Sequence, residues 1–324
     1  MTKPNVLCIL LNFCTPDMTL RAAEAALADL HALGGELVIV DNASGDGSYE
    51  TLAREVAARG WAENGLVRVI ASPVNGGFGA GNNIGLRMKM SNASSPHYFY
   101  VLNSDAFPDA GCSAALVEHL EAHPKAGFAC SHVRGEDNIV HTTAFRFPSI
   151  AGEFVGAARL GFIDRMLPDA PVPMPQPHET CQVDWSAGAS MMIRRSMLDE
   201  IGAFDETFFL YFEETDLCLR AARAGWSCWY VPDSRVVHIG SVSTGMKIKR
   251  RMPSYWYDSR RHYFIKNHGR VYAITALFAH LAGGILHRLR SGIAGRRPQD
   301  PNWFLADLVT HAATPYRTSS EDRL

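Results

Sequence analysis

The sequence predicts an α/β fold: a mixed, mainly parallel sheet flanked by helices and followed by a C-terminal helical extension. Three observations carry this expectation. Apolar runs at 5–11, 36–40 and 98–102 are continuous rather than alternating, as parallel strands covered on both faces require. Alanine-rich stretches with helical periodicity separate the first runs, giving β-α-β units whose crossovers are right-handed. Each run ends in a polar tip, at Asn12, at Asp41-Asn42 and at Asn103-Ser104-Asp105; open α/β sheets bind ligands at these carboxyl ends.

In chain order, the strand 5–11 is followed by a helix from Met18 to Leu33, closed by Gly34-Gly35, an ordinary helix exit. A strand at 36–40, a helix at 48–59 and a strand at 67–71 complete the first repeat of the pattern. Glycines then fall at 76, 77, 79, 81 and 85. They follow the third strand and fit no dinucleotide-binding register, which excludes a Rossmann dehydrogenase. What remains is a Gly-rich loop opening a helix from Asn82 to Met90, either offering backbone N–H groups to a ligand or simply turning tightly. The buried strand 98–107 leads to a helix from Cys112 to Ala122. From 131 to 181 the pattern loosens, and five prolines between Pro168 and Pro177 exclude a long helix or a central strand there. Such a segment reads as a binding loop or a disordered one, mobile without ligand. A strand over 183–194, a helix over 195–201, a turn at 202–206 and an aromatic entry into a helix ending at Gly225 follow. Residues 226–231 and 235–238 read as two closing strands, and the last residues, from Thr314, as a frayed tail.

Composition narrows the function. A net charge of -2 argues against a general nucleic-acid binder. Seven scattered cysteines without a CxxC pair indicate neither a zinc site nor a disulfide framework, but buried thiols in a reducing, cytoplasmic setting. The longest apolar segment, 272–286, is too short to span a bilayer. Between Lys247 and Arg297 twelve basic residues face a single acid, Asp258, with Tyr255, Trp256, Tyr257, Tyr263 and Phe264 interleaved. That mixture suits peripheral contact with the inner face of a membrane, and equally a helical layer packed on the domain or mediating a homodimer.

A carboxylate such as Asp105 at a buried strand tip suits a hard divalent cation that shares oxygen ligands with phosphates, although Asp also caps helices. The ordered set Val40-Asp-Asn-Ala-Ser44, Asn75-Gly-Gly-Phe-Gly-Ala-Gly-Asn-Asn83, Leu102-Asn-Ser-Asp105, Trp185-Ser-Ala-Gly-Ala189, Gly202-Ala-Phe-Asp-Glu206, Phe212-Glu-Glu-Thr-Asp-Leu-Cys-Leu-Arg220 and Val237-His238 resembles the family 2 inverting glycosyltransferases of GT-A fold, nearest the rhamnosyltransferase-like members of bacterial polysaccharide assembly. The likeness spans residues 5–270. It implies a nucleotide-sugar-binding half (1–110), an acceptor-binding half (111–245) and a basic helical extension (246–324). It also implies a dTDP- or UDP-sugar donor, with L-rhamnose the leading sugar, a glycan or polyprenyl-linked acceptor, and a Mg2+ or Mn2+ ion.

The same resemblance assigns residues. Asp105 and His238 would hold the metal, with Asn103 standing where the family's D-x-D motif has its first acid. Asp41 would accept a hydrogen bond from the pyrimidine N–H, unless an Asx turn with Ser44 uses it. Asn12, Asn42, Asn75, Gly76, Asn83, Asn103 and Ser104 complete the expected donor site. Glu214 of the Glu213-Glu214 pair would be the base that deprotonates the acceptor hydroxyl, with Glu213, Trp185 and Gly188 toward the acceptor. As plain helix-start acids, the pair would instead answer the macrodipole. Asp216 and Arg220, at i,i+4, read as a structural ion pair. A sugar nucleotidylyltransferase and a non-catalytic sugar-nucleotide-binding protein are the rival classes.

Overall fold

The strand β1 (Val6–Asn12) is the axis of the sheet, with β2 (Glu36–Asp41) on one side and β4 (Tyr98–Asn103) on the other, both parallel to it. The structure, a computed structural model, describes residues 4–240, 251–296 and 300–315. Helix α1 (Pro16–Leu30) links β1 to β2, α2 (Ser48–Ala58) links β2 to β3 (Val67–Ala71), and α3 (Gly77–Leu86) precedes β4. Next come the short β5 (Ala106–Pro108), α4 (Cys112–Ala122), β6 (Ala126–Arg134), β7 (Ala144–Phe145), α5 (Ile150–Ala158) and α6 (Gly161–Met166). The chain then forms β8 (Cys181–Val183), β9 (Trp185–Ser186), β10 (Ser190–Arg194), α7 (Arg195–Ile201), α8 (Glu213–Arg223) and β11 (Ser227–His238). Three helices end it: α9 (Ser254–His268), α10 (Arg270–Ile293) and α11 (Phe304–Ala313).

Among the described residues one nine-stranded sheet runs β3-β2-β1-β4-β10-β6-β11-β5, with β8 also on β11. Strands β3, β2, β1, β4, β6 and β11 share a direction, and β5, β8 and β10 oppose it. The expected mixed, mainly parallel sheet is therefore present. Side chains on β1 alternate between two cores: Val6, Cys8 and Leu10 face α1, α2 and α4, while Leu7 and Ile9 face α3, α7 and α8. The register pairs Asn12 with Asp41 and Leu11 with Asn103, so the three polar tips end level with one another.

Several elements differ from expectation. The Gly-rich stretch is itself helix: α3 starts at Gly77 and ends at Leu86 instead of running from 82 to 90. Its glycines serve packing, because a Cβ at Gly81 or Gly85 would lie 2.4 Å from Leu11 or 2.7 Å from Ile9 on β1. The two closing strands are one, β11, with a register shift between Val231 and Arg235. The loose segment holds α5 and α6, and its proline-rich return is tied back by Arg146 N–H to Val172 O at 2.7 Å and Met174 N–H to Ala144 O at 3.0 Å. Cysteines 8, 112, 130, 218 and 228 are buried thiols as expected, but Cys14 is exposed. The aromatics of α9 turn inward, with Tyr257, Tyr263 and Phe264 all buried. No helix among the described residues is long and apolar enough to cross a membrane. Lys247, Lys249, Arg250, Arg297 and most of the expected tail lie outside the described residues.

Candidate active site

Three loops meet at the carboxyl ends of β1, β2 and β4. At the β4 tip, Asp105 Oδ1 lies 3.0 Å from His238 Nε2, and Asn103 Nδ2 lies 3.2 Å from the same nitrogen. The pairing of β11 with β5, which sets His238 opposite Ala106, makes this contact between residues 133 apart in sequence possible. Asp105 and His238 thus come together as expected.

The tip connects to the acid pair through one short loop. Asn103 N–H donates to Ala189 O at 3.1 Å, and the adjacent Gly188 N–H donates to Glu214 Oε1 at 3.0 Å. Consecutive Cα atoms are about 3.8 Å apart, so the Asp105 turn and Glu214 flank the same stretch of backbone. Gly188 has no room for a side chain: a Cβ would sit 2.8 Å from both Glu214 Oε1 and the Phe78 ring. Gly77 (φ +87°) is similarly fixed, since a Cβ there would overlap Phe209 O at 1.8 Å, and Phe78 N–H donates to that carbonyl at 2.9 Å. These contacts clamp the start of α3 to the residues leading into α8.

Glu213 and Glu214 open α8, where the helix N-terminus favours negative charge. They follow Tyr211 and Phe212 at φ +71° and +68°, a left-handed conformation costly for bulky residues. Backbone strain of this kind concentrates at functional sites. Glu213 is 1% exposed, and its Oε2 has no hydrogen-bond partner among the described residues. Burial, and then the charge of Glu214, push its carboxyl well above the usual range. Sealed in this way, Glu213 has no surface for an acceptor; the expected acceptor contact is corrected to a buried neighbour of Glu214. Glu214 is half-buried, and burial raises its pKa as well, opposed by the Gly188 N–H bond. Tyr211, not anticipated from sequence, packs beside the pair, and burial pushes its hydroxyl up to about 12. Backbone strain leaves no mark in sequence that would have singled it out.

The donor-side residues divide. Asp41 is buried, and its Oδ1 accepts from Asn12 Nδ2 at 2.7 Å and Ser44 Oγ at 2.6 Å. Its Oδ2 accepts Ser44 N–H at 3.2 Å, the Asx-type turn that was the alternative reading. Asn42 donates to Asn75 Oδ1 at 2.8 Å, and its own Oδ1 is buried without a partner among the described residues; Asn75 Oδ1 also takes Gly77 N–H at 3.1 Å. Asn12 and Asn83 are corrected from ligand contacts to struts. Asn12 is fully buried, donating to Asp41 and accepting from Thr19 Oγ1 at 2.7 Å. Asn83 donates to Phe204 O and Glu206 Oε1, both at 2.9 Å, and accepts Phe204 N–H at 3.1 Å. Gly76 precedes the clamped Gly77, and Ser104 is buried within the Asp105 turn.

On the other side, Trp185 stacks on Phe145 at 4.3 Å and donates to Arg146 O at 2.9 Å. Asp216 is fully buried and binds Arg220 Nε at 2.9 Å, Lys266 Nζ at 2.8 Å and Asn267 Nδ2 at 2.9 Å, a structural network as its spacing predicted. His141, which sequence reasoning missed as a lone histidine in the loose segment, sits edge-on to His238 at 6.2 Å.

As a cation site, the Asp105–His238 pair offers a carboxylate and an imidazole. Among the described residues no group of three or more His, Cys, Asp or Glu side chains is arranged to hold a metal ion. A small divalent ion is held by one or two protein ligands plus substrate phosphates, so the donor set fits one completed by a diphosphate.

Residues 15–202, more than half the chain, match the family model "Glycosyl transferase family 2", and residues 171–256 match "Glycosyltransferase like family 2". The chain is 27% identical over 220 residues to an N-acetylglucosaminyl-diphospho-decaprenol L-rhamnosyltransferase of Mycobacterium tuberculosis, covering 64% of this chain and 68% of the relative. It is also 27% identical over 164 residues to rhamnosyltransferase WbbL of Escherichia coli K12, covering 50% of this chain and 60% of the relative. Similar solved structures include GalNAc-T7 with UDP, GalNAc and Mn2+ (TM-score 0.56, 14% identity, 97% of this chain and 58% of that one). Another is the mannosyltransferase PcManGT of Pyrobaculum calidifontis with GDP-Man and Mn2+ (TM-score 0.55, 15% identity, 96% and 86%). At such identities the structural likeness is one of fold, and the fold is GT-A.

Proposed function

The chain belongs to glycosyl transferase family 2, a family of inverting glycosyltransferases, and from that premise we propose that it moves a hexosyl group, L-rhamnose from a dTDP donor, to a glycan carried on a polyprenyl diphosphate in surface polysaccharide assembly. The M. tuberculosis relative is named for such an acceptor. The single observation that carries the reading is the loop 187–189, which bonds the Asp105 turn on one side and Glu214 on the other.

That arrangement suits direct displacement. Glu214 accepts the proton of the acceptor hydroxyl as its oxygen bonds to the anomeric carbon. The bond to the diphosphate breaks on the opposite face, so the configuration inverts. Burial helps by raising the basicity of Glu214 toward neutral pH, where a general base is most effective. Gly188 N–H orients the carboxylate, and burial disfavours a charge on the neighbouring Glu213. Asp105 and His238 would hold a Mg2+ or Mn2+ ion, which neutralises charge on a departing diphosphate. Asn42, Asn75 and Asp41 line the base-binding side; Asp41 Oδ2, with one N–H at 3.2 Å, retains acceptor capacity for a pyrimidine N–H. The basic extension (247–297) makes a peripheral membrane contact that brings the site to its lipid-carried acceptor.

Incubation with a panel of nucleotide sugars and Mn2+ tests the reading. Release of nucleoside diphosphate supports it, whereas release of inorganic pyrophosphate means nucleotidyl transfer. Absence of both, with donor still bound, means a binding protein.

A further inference from the structure

The basic, aromatic stretch suits either membrane contact or a packed helical layer, and Tyr257, Tyr263 and Phe264 of α9 are buried. Helix α10 carries a different feature. Val271 (81% exposed), Ile274, Phe278 (64%), Ile285, Leu289 (63%) and Ile293 (91%) are all solvent-exposed. Their spacing of three, four or seven residues, with exposed Ala282 filling the longer step, sets them along one side of the helix. At 1.5 Å per residue the stripe is about 33 Å long. Apolar side chains exposed singly are ordinary, but a continuous stripe of this length marks an interaction surface.

We infer that this face of α10 lies in the headgroup region of an anionic lipid bilayer. Charge supports the assignment. From Arg270 to Arg296 the sequence has no acid, and the stripe itself carries no charge. Exposed Arg270 and half-buried Arg288 fall beside it on one flank, where long cationic side chains reach headgroup phosphates while their stems stay apolar; Arg290, on the other side, is turned inward and donates to Arg159 O at 2.8 Å. Asp300 is the nearby acid, 2.8 Å from Arg159 and 3.9 Å from Arg288, one carboxylate between two guanidinium groups. A second copy of the chain is a poorer occupant, because pairing two such faces brings arginine flanks together without acids between them.

The opposite face of α10 fixes the helix. Gly283 packs so closely on α5 that a Cβ would sit 2.5 Å from Phe154 O, and Arg260 of α9 and His280 of α10 both meet Glu153 of α5 at 2.7 Å. The stripe is thus presented on a docked helix. The inference rests on the proposed lipid-carried acceptor for its purpose and on α10 alone for its evidence.

Flotation with vesicles of equal parts phosphatidylglycerol and phosphatidylcholine tests it on the full chain, comparing wild type with a Phe278→Asp/Leu289→Asp variant. Both positions are exposed, so the thermal melt should be unchanged. Wild type should float with these vesicles and less with pure phosphatidylcholine, and the variant's partitioning should fall roughly tenfold or more. Wild type that does not bind overturns the inference, as does binding the variant retains. A wild-type dimer in sedimentation that the variant splits, without vesicle binding, also overturns it in favour of self-association. Nucleoside diphosphate release in vesicle-free buffer, equal in both proteins, separates this outcome from failure of the proposed transfer.

Discussion

Glu213 and Glu214 are chain neighbours in opposite circumstances. One is sealed with an oxygen unpartnered among the described residues; the other is half-exposed and held by a backbone N–H. Burial, and then the charge of Glu214, raise the Glu213 pKa in the fold above its unfolded value. Its contribution is therefore complete below the ordinary carboxylate pKa and is lost as pH rises toward its raised value. Glu213→Gln should melt close to wild type in mild acid and above it in mild alkali; a variant less stable at both would contradict the assignment. With Glu214 as the proposed base, its raised pKa should place the acid limb of the turnover profile above the usual carboxylate range; a limb inside that range would contradict the role. Asp105→Ala should weaken Mn2+-dependent donor binding at least roughly tenfold by calorimetry, and an unchanged metal response would remove Asp105 as a ligand. Sequence patterns locate acids, but not their exposure. The acid pair and the Asp105–His238 partnership were legible because they sit in an ordered set of motifs. The roles of Asn12 and Asn83 were not, since an asparagine's use depends on what folding brings to it, in one case Phe204, 121 positions away.

At the scale of elements, strands and helices with strong periodicity were readable: β3, α4 and α7 match their predicted bounds. The failures have physical causes. Helix α3 is rich in glycine, a poor helix former, and forms because its glycines let it press onto β1, a tertiary gain invisible to local propensity. Helix α5 sits in the loose segment and is fixed by partners far away. Glu153 on α5 meets Arg260 of α9 and His280 of α10, each at 2.7 Å, and Arg260 is buried. Removing the acid strands a buried cation, so Glu153→Ala should lower stability by about 3 kcal/mol in urea unfolding; a change within error would show that the C-terminal layer is held by its apolar contacts alone.

Across the whole molecule, a single sheet joins the two predicted halves through β10, which lies antiparallel between β4 and β6. The loop entering β10 contains Gly188 and Ala189, so the strand that joins the halves also brings the β4 tip to the acid pair. Helix α9 braces the same region from outside: Lys266 bonds Asp205 and Asp216, both at 2.8 Å, holding the turn before α8 and the helix itself. The exposed stripe of α10 belongs to this scale too, because which face of a helix is left uncovered is decided only when its neighbours are in place.

The claim on which the rest depends is that Glu214 removes the acceptor proton. Its most direct test compares wild type with Glu214→Gln for donor affinity by calorimetry and for acceptor-dependent release of nucleoside diphosphate. The account predicts unchanged affinity with turnover reduced roughly a hundredfold to ten-thousandfold, the usual worth of a general base. Turnover at the wild-type rate would contradict it.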